Sequence, residues 1–88
     1  QGFSFTAHIF KEEEAYVAYV PALDLSSCGS TETEARKNIQ DAVRGFLDAS
    51  AGQGNLEQVL EESGYRRQGG EWVPPQFVSL DEVSVNFA

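Results

Sequence analysis

The feature that most constrains this chain is a corner at residues 29–34. Gly29-Ser30-Thr31 is followed by Glu34, so a threonine stands three residues ahead of an acid. That spacing is a capping box, in which the Thr31 oxygen accepts from the Glu34 amide and the Glu34 carboxylate reaches back to the Thr31 amide. Gly29, just before it, gives the backbone freedom to turn. Beyond the corner, Ala35, Ile39, Ala42, Val43, Phe46 and Leu47 recur at helical spacing, while Arg36, Lys37, Gln40, Asp41, Arg44 and Asp48 take the opposite side. The spacing predicts an amphipathic helix running to about Ser50. Such a helix must lay its apolar stripe on another element, so the flanking segments decide the fold class.

Before the corner the pattern is that of strands. Phe3, Phe5, Ala7 and Ile9 alternate with Ser4, Thr6 and His8, the period of a half-buried strand. The charged run Lys11-Glu12-Glu13-Glu14 interrupts, and residues 15–23 (AYVAYVPAL) then carry apolar side chains in both registers, as an inner strand does. The two make a hairpin. Pro21 has no amide hydrogen to give a ladder and ends or bends the second strand, and residues 24–28 supply at most a short third one. After the helix, Gly52 and Gly54 act as a stop, and Asn55 with Gln58 marks the cap of a short second helix with Leu56, Val59 and Leu60 inward. Gly64 ends that helix, and Tyr65 is placed to pack back on its last turn. Residues 65–73 read as a hairpin turning at Gly69-Gly70. Pro74-Pro75 bars helix there, and Val83, Val85 and Phe87 alternate as a last strand expected to return to the sheet, parallel to its target, by a right-handed crossover.

Together these elements predict an α+β fold, a three- to four-stranded mainly antiparallel sheet with one long and one short helix on one face. A chain of 88 residues supports one core, so a single domain over residues 1–88 is expected. Six Phe, three Tyr and one Trp provide enough apolar bulk for that core without staples. The lone Cys28 can form no internal disulfide and lacks the paired spacing of a zinc site, which makes a cytoplasmic home the expectation. No apolar run reaches the length of a membrane span. The formal net charge is −8, and the six basic residues are scattered as Lys11, Arg36, Lys37, Arg44, Arg66 and Arg67. Nucleic-acid binding needs clustered Lys and Arg to release counterions, so direct binding by this chain alone is disfavoured. An acidic surface either steers a basic protein partner or keeps the chain soluble by self-repulsion.

The run Tyr16-Val17-Ala18-Tyr19-Val20-Pro21-Ala22-Leu23, the corner Gly29-Ser30-Thr31, the pair Glu34-Ala35 and then Asn38-Ile39 resemble the HicB-like antitoxins of bacterial type II toxin-antitoxin systems. Gly64-Tyr65 and residues 72–75, leading to a last strand, are similar to the shorter members, so the resemblance covers roughly residues 3–87. Two departures stand out. Asp24-Leu25 occupies the place of a frequent Gly-Cys pair, with Cys28 directly before Gly29 instead. The appended DNA-binding module of many members also has no counterpart in these 88 residues. The resemblance implies a partial RNase H-like fold without enzymatic activity or cofactor, often a homo-oligomer. Its role would be to cover a small basic HicA-type mRNA interferase and mask its catalytic histidine. Glu12, Glu13, Glu14, Asp24 and Glu32 are then the residues expected to meet the toxin, with Pro21, Gly29, Thr31 and Glu34 forming the structural corner.

The residues themselves admit other chemistry. His8, the only histidine, could serve as a general base, but the sequence supplies no nucleophile or orienting carboxylate at an inferable distance. Glu12-Glu13-Glu14 could ligate a divalent metal, yet charged hairpin turns are commonplace. A residual metal-dependent nuclease needs acids converging from several strands, and only Asp24 and Glu71 stand as isolated candidates. Arg66-Arg67 with Tyr65 and Trp72 is a basic-aromatic group of the type that stacks on single strands, but it is too small on so acidic a chain to bind well unaided, and packing of the hairpin over the core is the favoured account. Gly45, inside the long helix, points to close approach of another element, such as a second copy. A stand-alone oligomer with a structural or small-molecule-binding role, its open sheet face buried in a homodimer, is the second reading.

Overall fold

A computed structural model describes residues 2–87 of the chain. It is α+β, with a three-stranded antiparallel sheet, two helices and a separate two-stranded hairpin. β1 (His8–Glu12), β2 (Ala15–Val20) and β3 (Leu25–Gly29) lie in the order β1-β2-β3, followed by α1 (Glu32–Gly52), α2 (Leu56–Glu62), β4 (Arg66–Gln68) and β5 (Glu71–Val73).

β2 is the inner strand, which accounts for its apolar residues in both registers. Its register places Ala18 opposite Ile9 of β1 and Ser27 of β3. Ala18 and Val20 are buried under α1 against Ala35 and Ile39, and Phe5, Ile9, Tyr16, Leu23, Leu25, Ala42 and Val43 pack around them. α2 packs against α1. No helix among the described residues is long and apolar enough to cross a membrane.

The corner forms where the sequence placed it, by a different set of contacts. The Thr31 hydroxyl accepts from the Glu34 amide at 3.0 Å, as a capping threonine should. The Glu34 carboxylate, however, reaches one residue further back and accepts from the Ser30 amide at 2.8 Å and the Ser30 hydroxyl at 3.2 Å. Gly29 is not in the left-handed region. It is required because β3 runs against the helix start: a Cβ there would sit 2.7 Å from the Ala35 amide nitrogen. Asn38 adds a clasp, donating to the Cys28 carbonyl at 2.7 Å. Pro21 opens the β2–β3 turn, where its carbonyl accepts from the Asp24 amide at 3.2 Å.

Three expectations are corrected. The first strand begins at His8 rather than Phe3, because the hairpin turn at Glu13-Glu14 fixes the pairing and β2 is only six residues long. Residues ahead of it are tied down by a side chain instead. The buried Tyr65 hydroxyl accepts from the Ser4 amide at 2.7 Å and donates to the Ser4 carbonyl at 2.9 Å, while its ring meets Phe3 edge-on at 5.4 Å and Phe5 at 5.7 Å. Second, no strand follows β5 among the described residues. Residues 74–87 are all exposed, and the alternating Val83, Val85 and Phe87 find no edge on their own chain. Third, a Cβ on Gly45 would meet nothing within 4 Å, so the close approach expected there does not come from an element of the same chain.

The smaller features follow their local chemistry. Gly64, at φ +102, stops α2, and the Tyr65 amide returns to the Leu60 carbonyl at 3.0 Å, closing the last turn. Gly69 and Gly70, at φ +59 and +82, both take the left-handed conformation that a tight β4–β5 turn demands.

Candidate functional site

Pleating sends alternate side chains to opposite faces of a sheet. Since Ile9, Ala18, Val20 and Leu25 face α1, the residues between them project from the other side. That side carries two rungs. Phe10, Val17 and Cys28 lie across one, and His8, Tyr19 and Ser26 across the next. Phe10 is half exposed, Val17 and Tyr19 are partly buried, and Cys28 is exposed and free. His8 and Phe10 meet edge-on with ring centroids 6.2 Å apart. Among the described residues no helix lies on this face, so a mixed apolar-polar platform of six side chains is open to a partner. Its apolar members, Phe10, Val17 and Tyr19, escaped the site reading of the sequence. The signal for Val17 and Tyr19 was the second apolar register of residues 15–20, which marks an inner strand with content on both faces.

The sequence-predicted acids fall at two ends of this platform. Glu12 closes β1, Glu13 and Glu14 form the β1–β2 turn, and Glu13 adopts φ +53. Tyr16 pairs with Gly29 beside them, and Glu32 follows three residues later at the start of α1. Four carboxylates thus gather at one end of the sheet, all on exposed residues. Glu32 is ion-paired with Arg36 one helical turn on. Asp24 belongs to the other end, about 16 Å away along β2 at the usual rise per residue. There, at φ +52, it accepts a hydrogen bond from the Tyr19 hydroxyl at 2.9 Å. That bond, with smaller contributions from burial and from the Asp24 charge, holds the Tyr19 phenol above its ordinary pKa.

The remaining candidates are not brought together. Asp24 lies in the β2–β3 turn and Glu71 in the separate hairpin, and no group of three or more His, Cys, Asp or Glu among the described residues is placed to share a metal ion. The basic-aromatic group is split. Tyr65 points inward to Ser4, whereas Arg67 lies over the Trp72 ring at 4.9 Å and pairs with Glu57 at 3.0 Å. Arg67 therefore fastens the β4–β5 hairpin to α2. No family model, curated protein or solved structure matches this chain.

Proposed function

We propose that this chain is a non-enzymatic interaction module that covers a small basic protein, in the manner of a HicB-like antitoxin neutralising a HicA-type mRNA interferase. The observation that carries this reading is the run of exposed Glu12, Glu13 and Glu14 at one end of the open sheet platform, with Glu32 at the same end on the α1 side. Clustered exposed carboxylates on a chain of net charge −8 raise the encounter rate with a cationic partner and orient it. The adjoining Phe10, Val17 and Tyr19 supply the desolvated centre that a specific interface needs inside its charged rim. The sequence resemblance described above points to the same class of partner.

The test is co-purification with the product of a short basic reading frame neighbouring the gene. Binding should weaken steeply with added salt, as exposed charge pairs are screened beyond about 10 Å at 0.1 M. A triple charge reversal at Glu12, Glu13 and Glu14 should abolish it, and Phe10→Ala should speed dissociation. Absence of any association at low salt overturns the proposal. A second reading, a stand-alone homo-oligomer, draws on a different observation, the exposed apolar C-terminal segment.

A further inference from the structure

The sheet lacks a strand at one edge, and the chain holds an unused strand. On the helix side, beside residues 2–7 and then β1, runs a furrow made of two adjoining grooves of about 640 and 540 Å³. The first lies between Phe5 and Ala7 on one wall and Ile39, Val43 and Leu47 of α1 on the other. The second continues past Ile9 and Lys11 of β1 towards Arg36. α1 therefore overhangs ground that none of the three strands fills. The opposite edge is less open, because Asn38 takes the Cys28 carbonyl and Gly29 is closed under the helix.

Residues 77–87 carry what this furrow needs. Val83, Val85 and Phe87 alternate at strand period and are 87, 84 and 98% exposed, and Phe77, Val78 and Leu80 before them are exposed too. The radius of gyration is 15.4 Å, against about 12 Å for a compact domain of this length, so this segment does not fold into the body. Its charges also suit the furrow. Asp81 and Glu82 lead the alternating stretch, and the grooves are lined by three basic residues, Lys11, Arg36 and Arg44, against two acids, Asp48 and the Glu32 that pairs with Arg36, a weakly basic balance.

We propose that residues 77–87 of a second copy add to the β1 edge as a fourth strand, with Val83, Val85 and Phe87 in the furrow under α1, and that two chains exchange these strands reciprocally. The Pro74-Pro75 pair favours exchange over folding back on the same chain. It holds the backbone extended on leaving β5, and Pro75 is seated against Gly64, where a Cβ would lie 3.3 Å from its ring. Reciprocal insertion closes with two-fold symmetry and leaves no free strand. Each insertion withdraws the apolar side chains of its furrow face, Phe77, Val83, Val85 and Phe87, the two phenylalanines at about 150 Å² or more apiece, and covers the matching walls of the furrow. Two insertions reach the roughly 1,200–2,000 Å² of a stable interface. The pairing needs no other protein, so its test stands apart from that of the toxin-covering proposal.

The experiment measures the mass of the full chain by light scattering at tens of micromolar, beside a Val83→Asp/Val85→Asp double variant. Both substituted residues are exposed within one chain, so the variant keeps its fold and its far-ultraviolet spectrum. The expected result is twice the chain mass for the wild type and one chain mass for the variant, with the β1 amides losing hydrogen-exchange protection only in the variant. Isotope-filtered NMR on a mixture of labelled and unlabelled chains should show contacts from Val85 of one chain to Ile9 or Ile39 of the other. A monomeric wild type, a dimer that survives the double substitution, or contacts confined to one chain overturns the proposal.

Discussion

Replacing Gly29 by alanine asks whether the strand-to-helix corner is set by close packing. The added Cβ would lie 2.7 Å from the Ala35 amide nitrogen and 2.9 Å from both the carbonyl carbon and the Cβ of Glu34. Two of these three neighbours are backbone atoms in the first turn of α1, which cannot swing aside as the tip of a long side chain can. Either α1 lifts from β3 or the end of β3 peels away. Overpacking a filled site costs about 1–3 kcal/mol, and disturbing the Thr31 cap adds about 1 kcal/mol, so a loss of about 2–4 kcal/mol is expected. Against a total stability on the order of 5–10 kcal/mol for a small domain, that is a large fraction. It should lower Tm by roughly 10 °C or more and the urea midpoint by about 1–2 M. Gly45→Ala is the matched control. Its Cβ meets nothing within 4 Å on an exposed helical face, and alanine there should stabilise by about 1 kcal/mol. Urea unfolding followed by far-ultraviolet circular dichroism and Trp72 fluorescence reads both variants. A Gly29→Ala protein within about 0.5 kcal/mol of wild type, the range of ordinary surface changes, would refute the reasoning.

Tyr65→Phe removes the hydroxyl that serves both backbone groups of Ser4 and should cost about 1–2 kcal/mol, with faster exchange of the Ser4 amide as the specific signature. Glu13→Gly relieves a non-glycine residue held at φ +53 and should raise stability by up to about 1 kcal/mol, read as a higher Tm. The raised pKa of Tyr19 has a signed consequence. Because the folded state holds the phenolic proton more tightly than the unfolded chain, the stabilisation is fully present below the unfolded tyrosine pKa and is lost as pH rises through the folded one. Alkaline unfolding should therefore flatten in Tyr19→Phe, and a phenolate absorbance step displaced to the alkaline side should disappear with it.

The long helix was legible because all of its information is local: the cap at Thr31, the acid at Glu34 and the apolar stripe lie within one segment. The Gly69-Gly70 hairpin and the Gly64 stop were legible for the same reason, since a positive φ is a property of the residue itself. Partnership between distant segments was not. The alternation of Val83, Val85 and Phe87 reports an amphipathic strand but carries no record of which edge receives it. The alternation of residues 3–9 likewise says nothing of where pairing begins, which the Glu13-Glu14 turn decides. The acids of the candidate site were readable as charge. Their division into a cluster of four and a solitary Asp24 required the β1-β2-β3 register, and the Phe10–Val17–Cys28 rung required knowing which face α1 covers.

The two hydrogen bonds between the Tyr65 hydroxyl and the Ser4 backbone join residues 61 positions apart. Closing so wide a span costs chain entropy that only an already assembled α2 and its glycine stop can offset. The opening residues are thus expected to be fastened late as the chain folds. Whatever loosens the α2 end, a nick or a substitution near Gly64, should set the distant beginning free as well.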